Sequence, residues 1–246
     1  TYDDGNGNTI TQNQTVIVDD VTAPVPDVAT LPTVTGECSA TIATAPTATD
    51  ACAGTITGTT SDALTYTTQG TYTVTWTYDD GNGNTITQNQ TVIVDDVTAP
   101  VPDAATLPTV TGECSGTIAT APTATDACAG TITGTTSDAL TYTTQGTYTL
   151  TWTYDDGNGN ISTQTQDVVI ADVTVPTITA PSALTVSTDA GSCEATGVSP
   201  GTPTTSDNCG VASVTNDAPA TFPSGSTTVT WTVTDVNGLS STAMQV

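Results

Sequence analysis

The sequence contains no lysine, no arginine and no histidine, against 25 acidic residues and a formal net charge of −25. Each absence excludes a class of chemistry. Without cationic side chains nothing can neutralise phosphates, so nucleic acid is not an expected partner. Anionic membrane surfaces repel such a chain for the same reason. A Ser-His-Asp triad, a lysine Schiff base and a His-ligated zinc site are all impossible, as is a Lys–Asn isopeptide cross-link. Methionine and phenylalanine occur once each. No apolar run is long enough to cross a membrane, and direct membrane insertion is not expected. No window holds a helical apolar period for three turns.

What remains is rich in threonine and valine, which suit a pleated, half-buried surface, with Asp, Asn, Gly and Pro to turn it. The expected fold class is all-β. A polyanion of this kind attracts hard cations through oxygen ligands, Ca²⁺ above all.

Self-similarity organises the chain. Val21-Thr22-Ala23-Pro24 returns as Val97-Thr98-Ala99-Pro100 and again as Val173-Thr174-Val175-Pro176, a period of 76 residues. Aligning 21–96 with 97–172 leaves ten differences, and residues 1–20 match 77–96 without exception. The chain is therefore read as the tail of a preceding module (1–20), repeat 1 (21–96), repeat 2 (97–172) and a divergent repeat 3 (173–246) whose end reads as cut short. The fragment is expected to come from a longer array.

Within repeat 1 the pattern predicts six or seven short strands. They cover 28–34, then Cys38 through Ile42 towards Pro46, then stretches around Ile56 and around Leu64–Tyr66. A strand over 72–78 alternates large apolar residues with threonine, placing Tyr72, Val74, Trp76 and Tyr78 on one face, with Trp76 as core. The run Asp79-Asp80-Gly81-Asn82-Gly83-Asn84 predicts a tight hairpin, and a final strand over 85–94 is expected to carry a bulge. Such short strands with turns every eight to twelve residues fit tandem immunoglobulin-like β-sandwiches in an extended array.

Repeat 3 carries Asp207-Asn208-Cys209-Gly210, then Phe222-Pro223-Ser224-Gly225-Ser226-Thr227-Thr228-Val229-Thr230-Trp231, then Asp235-Val236-Asn237-Gly238. These elements resemble the hyalin repeat. Repeats 1 and 2 resemble its bacterial variants, found in large surface proteins of gliding Bacteroidetes, although they have Asp-Ala-Cys for Asp-Asn-Cys and Gln-Gly for Pro-x-Gly. The resemblance implies an immunoglobulin-like fold, a cell-surface setting, adhesion, and export by the type 9 secretion system as in gliding adhesins.

The topology of such a sandwich gathers acids at the pole facing the preceding module. For repeat 1 these are Asp19 and Asp20 from the linker, Asp50, and Asp79 and Asp80 from the hairpin. The copy one module later is Asp95, Asp96, Asp126, Asp155 and Asp156. In repeat 3, Asp172, Asp207 and Asp235 remain beside Asn237, and Ala171 stands where an Asp is expected, so a weaker site is expected there. Like charges this close repel and raise one another's pKa. An inter-module Ca²⁺ is the expected neutraliser, set against solvated, metal-free turn residues. Paired carboxylates also run glycosidases, but copies repeated in every module suit scaffolding, so no catalytic residue is expected.

The six cysteines, one pair per repeat, point to disulfides in an oxidising, extracellular setting. Local pairs Cys38–Cys52, Cys114–Cys128 and Cys193–Cys209 are the base-rate expectation. A straight strand from Cys38 would carry it about 25 Å away from Cys52, however. The alternative joins the first cysteine of one module to the second cysteine of the next.

The leading expectation is the stalk of a large cell-surface adhesin. Its partners would be neighbouring modules in series and a surface polysaccharide or other extracellular ligand bound by other parts of the protein. The alternatives are spacer or carbohydrate-binding modules of a secreted enzyme, or a self-assembling surface filament. Three glycosylation sequons begin at Asn13, Asn89 and Asn160, which a Thr-rich chain supplies readily by chance.

Overall fold

The structure, a computed structural model, describes residues 1–246. It is all β, with short strands and no helix. The chain divides into two compact units, one of residues 1–98 with 157–160, the other of residues 99–156 with 161–246.

In the first unit, repeat 1 is organised around its last two strands, Gly70–Asp79 and Thr85–Val94. They pair antiparallel from Asp79↔Thr85 to Gly70↔Val94 without a break. The expected bulge in 85–94 is therefore absent. The hairpin turn needs none, because Gly81 and Gly83 take positive φ and reverse the chain unaided.

The outer edge of Thr85–Val94 pairs in parallel with Val34–Gly36. A second ladder joins Val25–Pro26, Thr47–Asp50 and Gly54–Thr57, and a small one joins Ala40–Thr41 to Thr65–Tyr66. The strand expected over 28–34 does not form. Pro26 precedes it, Pro32 lies within it, and neither can donate to a ladder, so pairing is confined to Val25–Pro26 and resumes at Val34.

Between these layers lies the core: Ala40, Ile42, Ala48, Val74, Trp76, Tyr78, Val92 and Val94. Tyr72 packs on its margin and stacks on Tyr66 with ring centroids 4.2 Å apart. The inward face of the last strand is Gln88, Gln90, Val92 and Val94. Two of these are glutamines, so apolar periodicity alone could not set its parity. Gln90 is buried because both ends of its amide are paired. Its Oε1 accepts from the Trp76 indole at 3.0 Å and its Nε2 donates to Pro32 O at 3.0 Å.

In the second unit, repeat 2 keeps the same strands, with Gly146–Asp155 and Ile161–Ile170 as the central pair and Val110–Gly112 parallel to the latter. Its Trp152–Gln166–Pro108 bonds copy those of repeat 1. In both repeats the parallel strand ends on a required glycine. A Cβ on Gly36 or Gly112 would meet the carbonyl oxygen of Ser39 or Ser115 at 1.9 Å.

Repeat 3 retains the central pair as Val229–Asp235 and Ser240–Gln245, flanked by Val211–Asn216. The repeat's bulge lies in that flanking strand, between Val211 and Ser213. Trp231 again donates to a buried glutamine, Gln245, whose Nε2 donates to Ser182 O and Pro200 O. The counterpart of the parallel strand, Leu184–Val186, forms no ladder and makes one backbone bond, Leu184 N–H to Val246 O at 3.2 Å.

Candidate functional site

Four of the five Asp-Asp pairs split by strand parity, while Asp3 and Asp4 are both exposed. At the poles of the repeats Asp20, Asp80, Asp96 and Asp156 turn inwards, while Asp19, Asp79, Asp95 and Asp155 lie exposed. Adjacent residues in extended chain face opposite ways, so one of the two expected ligands in each of these pairs points to solvent.

In the first unit, Asp20, Asp50 and Cys52 converge, their ligand-type atoms within 4.8 Å of one another. Asp50 ends the strand Thr47–Asp50 and is buried. Its Oδ1 accepts the backbone N–H groups of Cys52 and Ala53, at 2.7 and 2.9 Å, in an Asx turn. Its Oδ2 is buried with no hydrogen-bond partner. A charged oxygen so placed is costly unless something pairs with it.

Asp20 sits across from Asp50, anchored by Asn82 and Asn84 of the hairpin. Asp80 stands behind them. Burial alone would raise its pKa, but bonds from the Asn84 side chain and from the Asn82 and Asn84 amides outweigh it and hold the carboxyl below its ordinary value. The Asp20 carboxylate, followed by burial and Asp50, pushes the Cys52 thiol above its ordinary pKa, so Cys52 stays a thiol rather than a thiolate.

The same arrangement recurs in the second unit, where Asp172, Asp207 and Cys209 converge within 4.8 Å. Asp207 Oδ2 caps the amides of Cys209 and Gly210, while its Oδ1 is buried and unpaired. Asp235, almost fully buried, accepts from the amides of Asn237 and Leu239 through Oδ1 and leaves Oδ2 unpaired. Asp172 accepts a bond from the Asn237 side chain. Ala171 lies at the outward position, so the missing Asp removes no oxygen from this cluster. Within repeat 2, Asp126 is buried with the same cap on Cys128 and Ala129 and the same unpaired Oδ2. Asp96, buried in the first unit, accepts from the Asn158 side chain at 2.9 Å.

The cysteines correct the local-pair expectation. Cys114 is bonded to Cys209, 95 residues on, with Cα atoms 5.1 Å apart. Cys52 and Cys193 are free and exposed, while Cys38 and Cys128 are each disulfide-bonded. Thus neither Cys114–Cys128 nor Cys193–Cys209 forms, and Cys52 is not bonded to Cys38. The first cysteine of a repeat leaves from one pole and the second returns at the other, so the bond joins repeat 2 to repeat 3. Around it, Glu113 Oε2 accepts from Thr174 and Asn208. Gln145 donates to Glu113 O and accepts from the Asp172 amide. This Glu–Gln clamp, repeated as Glu37 and Gln69 in the first unit, was not singled out in the sequence. Its signal there is a polar Gln returning at a fixed period just before the longest strand.

Residues 171–244 match the family model described as the HYR domain. A search of the curated proteins returns no match. Among solved structures the chain is similar to the protocadherin GammaB4 extracellular domain. The two are 16% identical with a TM-score of 0.31, over 90% of this chain and 48% of that one. It is also similar to mouse cadherin-23 EC22-24, with 14% identity, a TM-score of 0.33, and coverage of 91% and 97%. A third is the endo-fucoidan hydrolase MfFcnA4, at 14% identity, a TM-score of 0.23, and coverage of 91% and 44%. The chain thus spans about half the length of the protocadherin it matches. The β-sandwich assignment rests on the chain's own ladders.

Proposed function

We propose that this chain is part of the stalk of an extracellular adhesin, a non-catalytic array whose modules are locked in series at their poles. The observation that carries this reading is the Cys114–Cys209 bond, which ties one repeat to the next rather than closing a repeat on itself. In a longer array the same rule pairs Cys52 with the first cysteine of the preceding module, and Cys193 with the second cysteine of the following one. An enzyme gains nothing from this wiring, whereas a load-bearing stalk does. The disulfide chemistry supports an oxidising, extracellular setting.

The second lock we propose is Ca²⁺, held by Asp20 and Asp50 with hairpin oxygens, and by Asp172, Asp207 and Asp235 two joints later. The unpaired buried oxygens of Asp50, Asp207 and Asp235 fit a hard cation, and no Lys or Arg exists to take that role. The resemblance of repeats 1 and 2 to bacterial hyalin-type repeats supports the finer reading, a gliding adhesin exported by type 9 secretion. A polysaccharide ligand would then be bound elsewhere in that protein.

The test is calorimetric titration with CaCl₂, and thermal unfolding with Ca²⁺ or EDTA, of the oxidised chain. Saturation at about a hundredfold over Kd should raise stability by about 2.7 kcal/mol per site, and D50N should remove the share that the Asp20–Asp50 site contributes. Identical melting in Ca²⁺ and EDTA would sink the cation lock. Small-angle scattering before and after reduction tests the disulfide lock, which predicts a more flexible chain once Cys114–Cys209 opens.

A further inference from the structure

Cys114 and Cys209 lie 95 residues apart along the chain, yet a single bond joins them. Tension follows the shortest covalent route, because that route goes taut while a longer one stays slack. Tension passing from repeat 2 to repeat 3 therefore leaves through Cys114 and crosses directly to Cys209. It enters repeat 2 either along the backbone at Ala99 or through Cys128, which is itself disulfide-bonded. By either route residues 129–208 stay off the path. They include the central pair Gly146–Asp155 and Ile161–Ile170, with the buried Trp152, and the first strands of repeat 3.

Force speeds the unfolding of a segment only in proportion to the length that its unfolding releases. Forced unfolding is a matter of rate, so a segment that releases no length keeps its unloaded lifetime. With Cys114 and Cys209 tied, opening residues 129–208 releases none.

Both attachment points are braced. On the repeat 2 side, Cys114 follows Val110–Gly112, whose parallel ladder with Val168–Ile170 continues in the bond from Ala171 N–H to Gly112 O at 2.9 Å. On the repeat 3 side, the Asp207 carboxylate holds the Cys209 amide at 2.8 Å. Glu113 Oε2 spans the two sides, accepting from Thr174 at 2.7 Å and from the Asn208 side chain. When the sulfur bond opens, load passes first to these hydrogen bonds and only then to the sandwich.

We propose that Cys114–Cys209 is a tension bypass, which carries load from repeat 2 to repeat 3 around the folded core, and that its reduction by a dithiol places that core on the load path. The source of the tension rests on the stalk reading above, whereas the wiring does not. In the reduction one thiolate of the dithiol attacks Sγ of either cysteine, and the other cysteine leaves as a thiolate. The second thiol of the reductant then displaces the first cysteine and closes its own disulfide. Two cysteine thiols form and one dithiol is oxidised. Both cysteines are half-buried, so neither sulfur is sealed from a small reductant.

The test is force-clamp pulling of the full chain from its two ends, in the variant C38S/C52S/C128S/C193S, which keeps this one bond. Adding dithiothreitol under load should release about 310–340 Å, the reach of 95 residues at about 3.3–3.6 Å each. The release should come in two parts, a short step as the bond opens and the remainder after a lag, when the intact core unfolds. Release of the whole length at once would mean that the core had already opened behind the bond, and overturns the proposal. Full extension before the dithiol is added overturns it as well. If the fourfold variant fails to fold, C52S/C193S keeps every bonded cysteine, and it too should lengthen on dithiol with a lag. Adding C114S/C209S to either variant should remove both the dithiol step and the lag, and a step that survives rules out this bond as the bypass. A chain that shows the two-part release but is attached to no cell surface loses the stalk reading and keeps the bypass.

Discussion

Repeats 1 and 3 are built around the same Trp–Gln pair, yet they brace its strand differently. In repeat 1 the outer side of Gly70–Asp79 carries a single bridge, from Thr59 to Thr77. In repeat 3 the equivalent strand, Val229–Asp235, pairs with Val211–Asn216 from Val211↔Asp235 to Asn216↔Trp231. The difference teaches that the Trp–Gln pair is what the repeats share, and that the flanking ladder varies around it. In repeat 1 Val92 and Val94, the last inward residues of Thr85–Val94, are fully buried in the core with Trp76. Truncating them gives the largest expected effect. V92A/V94A should cost about 2–3 kcal/mol per valine, from lost burial plus the cavity left behind. Urea unfolding followed by tryptophan fluorescence measures it, and a loss below about 1 kcal/mol in total would show that these valines are not part of the core.

A finer contrast lies between repeats 1 and 2, which differ at ten positions. Two of these compensate. Ala40 with Val94 in repeat 1 becomes Gly116 with Ile170 in repeat 2, moving a methyl group across the same contact. A Cβ on Gly116 would lie 2.8 Å from Ile170 Cδ1. G116A alone should therefore destabilise repeat 2 by about 1 kcal/mol through overpacking, and I170V alone by about as much through a small cavity. The double variant, which reproduces repeat 1, should recover most of both losses. Additive losses in a double-mutant cycle would mean that the two side chains do not share the site.

Much of this was legible in the sequence. The period of 76, the strand over 72–78 and the inward Trp76 follow from alternation and repetition alone. So does the gathering of Asp20 with Asp50, because the linker and the turn after Thr47–Asp50 meet at one pole. Other features were not legible, for physical reasons. Strand parity decides which Asp of each pair faces in, and the sequence around Asp19–Asp20 or Asp95–Asp96 does not mark it. The inward face of 85–94 is half glutamine, so a hydrophobic reading misses it until Trp76 is seen to satisfy Gln90. Cysteine pairing depends on which pole each thiol reaches. Base rates favoured neighbours in sequence, while the strand length already argued against them.

The smallest effect expected concerns Asp27 and its copy Asp103, again a comparison between equivalent sites. Each carboxylate accepts two threonine hydroxyls, Thr47 and Thr49 for Asp27, Thr123 and Thr125 for Asp103. Those bonds, the Thr47 and Thr123 ones first, hold both carboxyls below their ordinary value of 3.8. A depressed folded-state pKa adds stability above the unfolded pKa and loses it as pH falls through the folded one. D27N and D103N should therefore each melt slightly below the parent at pH 7, with the gap closing below about pH 4. Acid also discharges the other carboxylates and relieves the repulsion of a −25 chain, so the parent's own melting curve mixes two opposed effects. The difference between parent and variant isolates one of them. A gap that persists unchanged at pH 3 would assign the loss to altered threonine geometry rather than to the carboxylate's charge.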